Sequence, residues 1–393
     1  MVSCAAMQEQ SAELIARARA LAPMLAGRAA EAEQMRRLTG DVEQALEAAG
    51  MFALLRPRRY GGLQVDVATY IDVLIELARG DGSVGWLVSQ INNNQWIAAQ
   101  LGGLRDEVLA GPRSNIASVL LGQSSVRRAD GGFVLDGRWG FCSACLQADW
   151  VFLAAAVVDE GAPPEMGFFA TPTGALHIED DWRVTGLAAT GSHSVVAREL
   201  FVPAHRFAGI SPLVLNSVGL AEVDAPLYRA ALMPFITVTA GAIAVGMAEA
   251  MVAEFKAQLP GRPLTYTTYA SRAEAPTTHM ALGEAVTKIK AARLLFHDAV
   301  AAIEREAATG EPMAIPLRIA TRTQGVLGIR MCQEAVESLL RASGARSLHL
   351  ANPLQRIDRD LRALGLHPVY MAETTFEFLG RCELGMPPNT MFP

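Results

Sequence analysis

A chain of 393 residues, 51% of them hydrophobic, can bury a large core, and its length suggests two or three domains. A formal net charge of −6, with Lys and Arg scattered along the chain, gives no electrostatic footprint for nucleic acid or an anionic membrane. Five cysteines, an odd number spread over a long chain, argue against a disulfide framework.

The N-terminal stretch is Ala-rich but carries Glu9, Glu13, Arg17 and Arg19 at helical spacing. It lacks the basic-then-apolar pattern of a signal peptide and reads as the opening helix of a cytoplasmic protein. Helical patterning continues to about Gly111. It covers DVEQALEAAGMFALL, where Gly50 is a natural C-terminal stop, and the long run ATYIDVLIELARGDGSVGWLVSQINNNQWIAAQL. Pro57 and the Gly61-Gly62 pair punctuate these helices.

The texture changes at Pro112. Between Asn115 and Phe207 come short alternating or apolar runs such as GGFVLDGRWGF, DWVFLAAAVV and SVVARELFVP, separated by turn dipeptides including Asp130-Gly131 and Asp136-Gly137. That pattern predicts a compact antiparallel β domain. After Pro226 long amphipathic helices return. From Ala230 to Ala248 no residue is charged, close to a membrane span in length. Pro234, the threonines and the continuation into Glu249, Glu254 and Lys256 favour a helix buried inside a bundle, with no membrane involved. The expected fold is therefore α+β, with a helical domain over 1–112, a β domain over 113–212 and a helical bundle over 213–393.

No G-x-G-x-x-G joins a strand to a helix, so a nicotinamide-binding unit is not expected. The seven histidines show no metal spacing, and no metal site is expected. Cys142 and Cys145 form a C-x-x-C without a second pair, and read as small semi-buried residues.

Five segments together resemble the acyl-CoA dehydrogenase superfamily, and within it the oxygenase branch of two-component flavin monooxygenases: Glu47–Gly62, Ala78–Val88, Asp136–Ala155, Gly186–Pro203 and Ser343–His367. They run in order and span nearly the whole chain. The resemblance implies an N-terminal helical domain, a middle β domain and a C-terminal four-helix bundle, assembled as a homotetramer with flavin near the subunit boundary. The Ala230–Ala248 helix, too apolar for a monomer's surface, is expected at the centre of that tetramer. It also implies a function. Reduced FAD or FMN from a separate NAD(P)H:flavin reductase reacts with O₂, and the resulting flavin hydroperoxide hydroxylates a small aromatic or indole-like substrate.

The resemblance assigns roles to particular residues. Ser143 falls where a hydroxyl bonds the central-ring nitrogen of the flavin, and Phe141 where an aromatic ring flanks it. A dehydrogenase of the superfamily would carry its catalytic Glu at Pro368; instead His367 matches the oxygenase histidine beside the reacting oxygen. An imidazole titrates near working pH and can donate to a developing peroxide oxygen. Ser118 corresponds to the substrate-side serine, whereas Asn94 stands where the phenol hydroxylases carry a histidine. Asn94 can orient a substrate but cannot deprotonate it. Trp86 and Trp96 either wall this pocket or pack in the core. Arg262 and Arg346 are nominated for the flavin phosphate, and Trp182 for the ring. Two other activities remain open at this stage: an acyl-CoA dehydrogenase-type oxidoreductase, and an N-oxygenase of an amine or amino sugar.

Overall fold

The computed structural model describes residues 4–120, 122–217 and 225–393. Among the described residues five α-helices come first: α1 (Cys4–Met35), α2 (Gly40–Ala48), α3 (Val67–Gly80), α4 (Gly82–Gln100) and α5 (Gly102–Leu109). The expected stop at Gly50 is present. Gly50 adopts φ 78°, and Met51 N donates to Leu46 O at 2.9 Å, closing the last turn of α2. The long helical run is two helices rather than one. Asp81 is extended, and its carboxylate accepts from Ser83 N at 2.7 Å, so it starts α4 where α3 ends. Gly82 lets this junction approach the C-terminal bundle closely: a Cβ there would lie 2.3 Å from the Met247 sulfur.

The β region contains β1 (Ile116–Val119), β2 (Gln123–Ala129), β3 (Gly132–Trp139), β4 (Trp150–Val157), β5 (Glu165–Pro172), β6 (His177–Ile178), β7 (Val195–Pro203) and β8 (Phe207–Gly209). They form two four-stranded sheets, ordered β1-β4-β5-β8 and β2-β3-β7-β6. Asp130-Gly131 makes the β2–β3 hairpin turn, with Gly131 at φ 74°. Asp136-Gly137, by contrast, is no turn. It lies inside β3, at a register shift between Leu135 and Gly137 in the pairing with β7. The sheet is also not wholly antiparallel, because β1 and β4 run parallel. The chain leaves β1 for the β2–β3 hairpin in the other sheet and returns, so β4 enters from the same end as β1.

Alternation explains why β4 reads as unbroken apolar sequence. Val151, Leu153 and Ala155 enter the core between the sheets, while Phe152 and Ala154 face the core shared with the helices. A strand covered on both faces has no solvent side to mark with polar residues.

The C-terminal part comprises α6 (Ser211–Val214), α7 (Leu232–Ala257), α8 (Pro276–Thr309), α9 (Ile315–Ser343), α10 (Pro353–Gly365) and α11 (Ala372–Glu383). The apolar helix α7 packs against α3, α8, α9 and α10, and 78% of its most apolar window is buried. It needs no second copy to cover it, so the expectation of α7 at the centre of an assembly loses its physical basis. Gly241 of α7 and Gly328 of α9 make room for Phe296 of α8, where a Cβ would lie 2.0 Å and 2.6 Å from the ring.

Candidate active site

Where α4 begins, it meets the turn that follows β3. Trp86, 6% exposed, donates its indole N–H to Ser143 Oγ at 3.0 Å. The turn is sharply bent: Phe141 and Ala144 adopt φ 62° and 65°. Left-handed backbone at a bulky residue is costly, and persists only where the surroundings hold it. Here the second loop, 186–194, does the holding. Cys142 N donates to His193 O at 3.1 Å, and the Cys145 thiol donates to Gly191 O at 3.4 Å. Both cysteines are buried braces, as small residues of a C-x-x-C without a second pair.

From Ser143 a line of hydroxyls runs inward. Ser143 Oγ is 2.8 Å from Ser192 Oγ, which is 2.7 Å from Thr190 Oγ1, which donates to Leu187 O at 2.7 Å. Leu187 itself is fixed by α10, because its N–H donates to Asp360 Oδ1 at 2.6 Å. Gly186 permits this approach, since a Cβ there would lie 2.2 Å from Arg359 O.

His367 follows α10. Its ring lies 5.6 Å from Trp86 and 5.0 Å from Tyr370, which in turn stands edge-on to Trp86 at 6.2 Å. Tyr370 donates to Ile236 O at 3.2 Å. Burial lowers the His367 pKa to about 4. Burial thus favours the neutral imidazole over the imidazolium. Its Nδ1 accepts from Val369 N at 3.3 Å, which leaves the proton on Nε2. With Nδ1 so engaged, His367 offers its Nε2–H as a hydrogen-bond donor.

Beside Ser143, the Phe141 side chain is 76% exposed despite its strained backbone. It meets Trp182 edge-to-face at 5.4 Å, and the Trp182 indole N–H donates to Leu187 O at 3.4 Å. The Ser143 hydroxyl and the His367 imidazole thus meet at Trp86, and the open Phe141–Trp182 pair begins two residues before Ser143. That donor set fits a planar ring carrying polar edge atoms.

The remaining expected residues divide. Asn94 is 3% exposed and donates to Ile116 O at 3.1 Å, tying α4 to β1. Its neighbours do similar work: Asn92 donates to Met51 O, Asn93 to Thr239 Oγ1, and Gln95 to Phe52 O and Ser114 O. The run INNNQ is an amide belt that binds α4 to its surroundings on several sides. Ser118 is half-buried on the same face of β1 as Ile116, and among the described residues its hydroxyl has no partner. Trp96 is core: fully buried, stacked on Phe235 at 4.4 Å and donating to Leu227 O at 2.8 Å. Arg262 holds Gln258 Oε1 at 3.3 Å, and Arg346 is exposed in a 3-10 turn after α9. Among the described residues, no hydrogen bond or ion pair joins either arginine to the Ser143–His367 cluster.

Sequence reading missed Thr190, Ser192 and Tyr370. The first two lie within the Gly186–Pro203 segment as a T-G-S triplet, and Tyr370 stands three residues after His367. A groove of about 800 Å³ lies elsewhere, lined by Asp81, Glu249, Arg293, Arg356 and Asp360 among others. It touches the site only through Asp360.

Residues 8–102 match the acyl-CoA dehydrogenase N-terminal domain, and residues 238–371 match the acyl-CoA dehydrogenase C-terminal domain. The chain is 31% identical over 375 residues to the flavin-dependent monooxygenase oxygenase subunit HsaA of Mycobacterium tuberculosis, with 94% of each chain covered. It is 27% identical to the FADH₂-dependent resorcinol hydroxylase oxygenase component of a Rhizobium species, with 96% of each covered. Among solved structures, XiaF from a Streptomyces species in complex with FADH₂ and glycerol superposes with a TM-score of 0.91 at 28% identity, covering 98% of both chains. The fold, the order of the segments and these full-length likenesses agree: this chain belongs to the acyl-CoA dehydrogenase superfamily, among the oxygenase components of the flavin-dependent monooxygenases.

Proposed function

We propose that this chain hydroxylates a small aromatic substrate, using O₂ and reduced flavin delivered by a separate NAD(P)H:flavin reductase. The observation that carries this reading is the bridge from His367 through Trp86 to Ser143, beside an exposed Phe141 at φ 62°. FADH₂ is the first cofactor to test, because two relatives are described with it. When bound, reduced flavin supplies the electrons that activate O₂, so that one oxygen atom enters the substrate and the other leaves as water.

The chain's own residues hold and orient. Phe141 and Trp182 would offer a bound flavin ring an aromatic platform, and Ser143 would hydrogen-bond one of its polar edge atoms. His367 would present its Nε2–H as a donor to oxygen reacting at a bound flavin, where a fixed donor needs no reorganisation as charge develops. Trp86 and Tyr370 exclude water behind it. Ser118 supplies a free hydroxyl to orient the substrate, while Asn94 maintains the wall it stands in. A dehydrogenase would need a carboxylate base, yet Pro368 occupies that position and Asp360 is committed to Leu187 N.

The assembly we place as a cytoplasmic homotetramer. Leu348, Leu350 and Leu366 are 65%, 80% and 75% exposed, large apolar side chains that a partner copy would cover.

The test combines the purified chain with FADH₂, O₂ and a panel of phenols and indoles. Hydroxylated product should form, and the chain alone should not oxidise NAD(P)H. Rapid NAD(P)H oxidation by the chain alone, or reduction of bound FAD by an acyl-CoA with no product from any aromatic, would overturn the proposal.

A further inference from the structure

The hydroxyl line behind Ser143 has only one set of directions in which every bond is made. At one end Trp86 is a pure donor, since indole N–H cannot accept; at the other, Leu187 O is a pure acceptor. Three hydroxyls, Ser143, Ser192 and Thr190, supply three protons for the three bonds between Ser143 and Leu187 O. Thr190 spends its proton on Leu187 O. Ser192 must then donate to Thr190, and Ser143 must donate to Ser192. Ser143 is left with no proton to offer and one lone pair free. Thr190 and Ser192 are 1% and 3% exposed, so no bulk water scrambles these directions.

We infer that Thr190 and Ser192 are positioning residues that fix Ser143 as a hydrogen-bond acceptor, and that this polarity makes the site select reduced over oxidised flavin. The inference rests on the proposed flavin site and goes beyond it. The central-ring nitrogen of a flavin carries a proton when reduced and a bare lone pair when oxidised. Reduced flavin therefore donates to Ser143 Oγ with the line intact. Oxidised flavin sets lone pair against lone pair, and can be satisfied only by giving up one bond of the line. Selection of this kind suits a protein that must take its cofactor reduced and let it go oxidised.

Equilibrium binding of FAD and FMN tests this directly. The full chain is titrated with each flavin oxidised, and anaerobically with each reduced, and the ratio of the oxidised to the reduced Kd is compared among variants. Ser192→Ala frees the Ser143 proton, so the ratio should fall by about tenfold, the worth of one neutral hydrogen bond. The midpoint potential of the bound two-electron couple should fall with it, by about 30 mV. Ser192→Thr keeps the hydroxyl and should keep the ratio. If Ser192→Ala does not fold, Thr190→Val carries the same expectation, because Ser192 then loses the acceptor that orients it.

Equal weakening of both redox forms, with an unchanged ratio, would show a packing role and overturn the inference while leaving the flavin site standing. Failure of the site itself looks different: Ser143→Ala would then leave all four dissociation constants unchanged.

Discussion

Trp86 of α4 and Ser143 of the turn after β3 are joined by a 3.0 Å indole-to-hydroxyl hydrogen bond. This contact brings the helical and β parts together at the point where the His367 ring approaches. Trp86→Phe keeps the ring and removes only the donor, so stability should fall by about 1 kcal/mol. Trp86→Ala also opens a cavity and should lose roughly 3–5 kcal/mol. Urea denaturation of both variants checks this, and a Trp86→Phe variant as stable as the parent would mean that the hydrogen bond contributes nothing.

His367 is proposed to donate a hydrogen bond as a neutral imidazole. His367→Ala should lower product formed per O₂ consumed, with the balance released as H₂O₂, because no donor faces the oxygen. His367→Asn restores an N–H donor and should recover most of the coupling. Recovery by neither variant, together with at least a 100-fold loss typical of proton transfer, would instead assign His367 acid–base work.

The same residue predicts a pH profile. Its pKa is lowered to about 4 by burial, so it stays neutral from about pH 5.5 to 8 and gives coupling no inflection there. A neutral buried histidine contributes stability above its unfolded pKa, which is lost as pH falls toward 4. A coupling inflection near pH 6.5 that disappears in His367→Asn would contradict the neutral assignment.

Asn94→Ala should act on stability rather than on substrate affinity, because Asn94 donates to Ile116 O inside the protein. Leaving that buried carbonyl unpaired costs about 1–3 kcal/mol. Substrate dissociation constants measured below the unfolding temperature should change less than twofold, in keeping with a wall residue. A tenfold weakening with unchanged stability would return Asn94 to the substrate.

Asp360 and Asp81 are buried together, and burial raises their pKa values to about 7 and about 6. Raised carboxyl values bind protons in the folded state that the unfolded state has released. Stability from this pair is therefore present at low pH and lost as pH rises from about 4 to 7, with the two carboxyls titrating as a unit. Asp360→Asn keeps an acceptor for Leu187 N and removes one titration, so it should flatten the decline. Thermal midpoints measured across that range decide it; an unchanged slope would place the titration elsewhere.

The sequence by itself determined the order of helices, strands and helices, because periodicity follows from which faces are buried and needs no knowledge of the partner. Gly50 and Asp130-Gly131 were equally legible, since a left-handed turn residue announces itself locally. Ser143 and His367 could be singled out from the motifs around them. Only the tertiary structure joined those two through Trp86, and only it showed the lines behind them. Ser192, Thr190 and Leu187 are close in sequence to one another but far from Ser143, and their hydrogen bonds exist because two loops fold face to face. Asn94 has a structural role that the sequence hides for a related reason. An amide on a helix looks the same in sequence whether it faces a ligand or a neighbouring strand, and here β1 took its donor. The protonation state of His367 was likewise invisible, because desolvation depends on everything packed around the ring and nothing in the tripeptide that contains it.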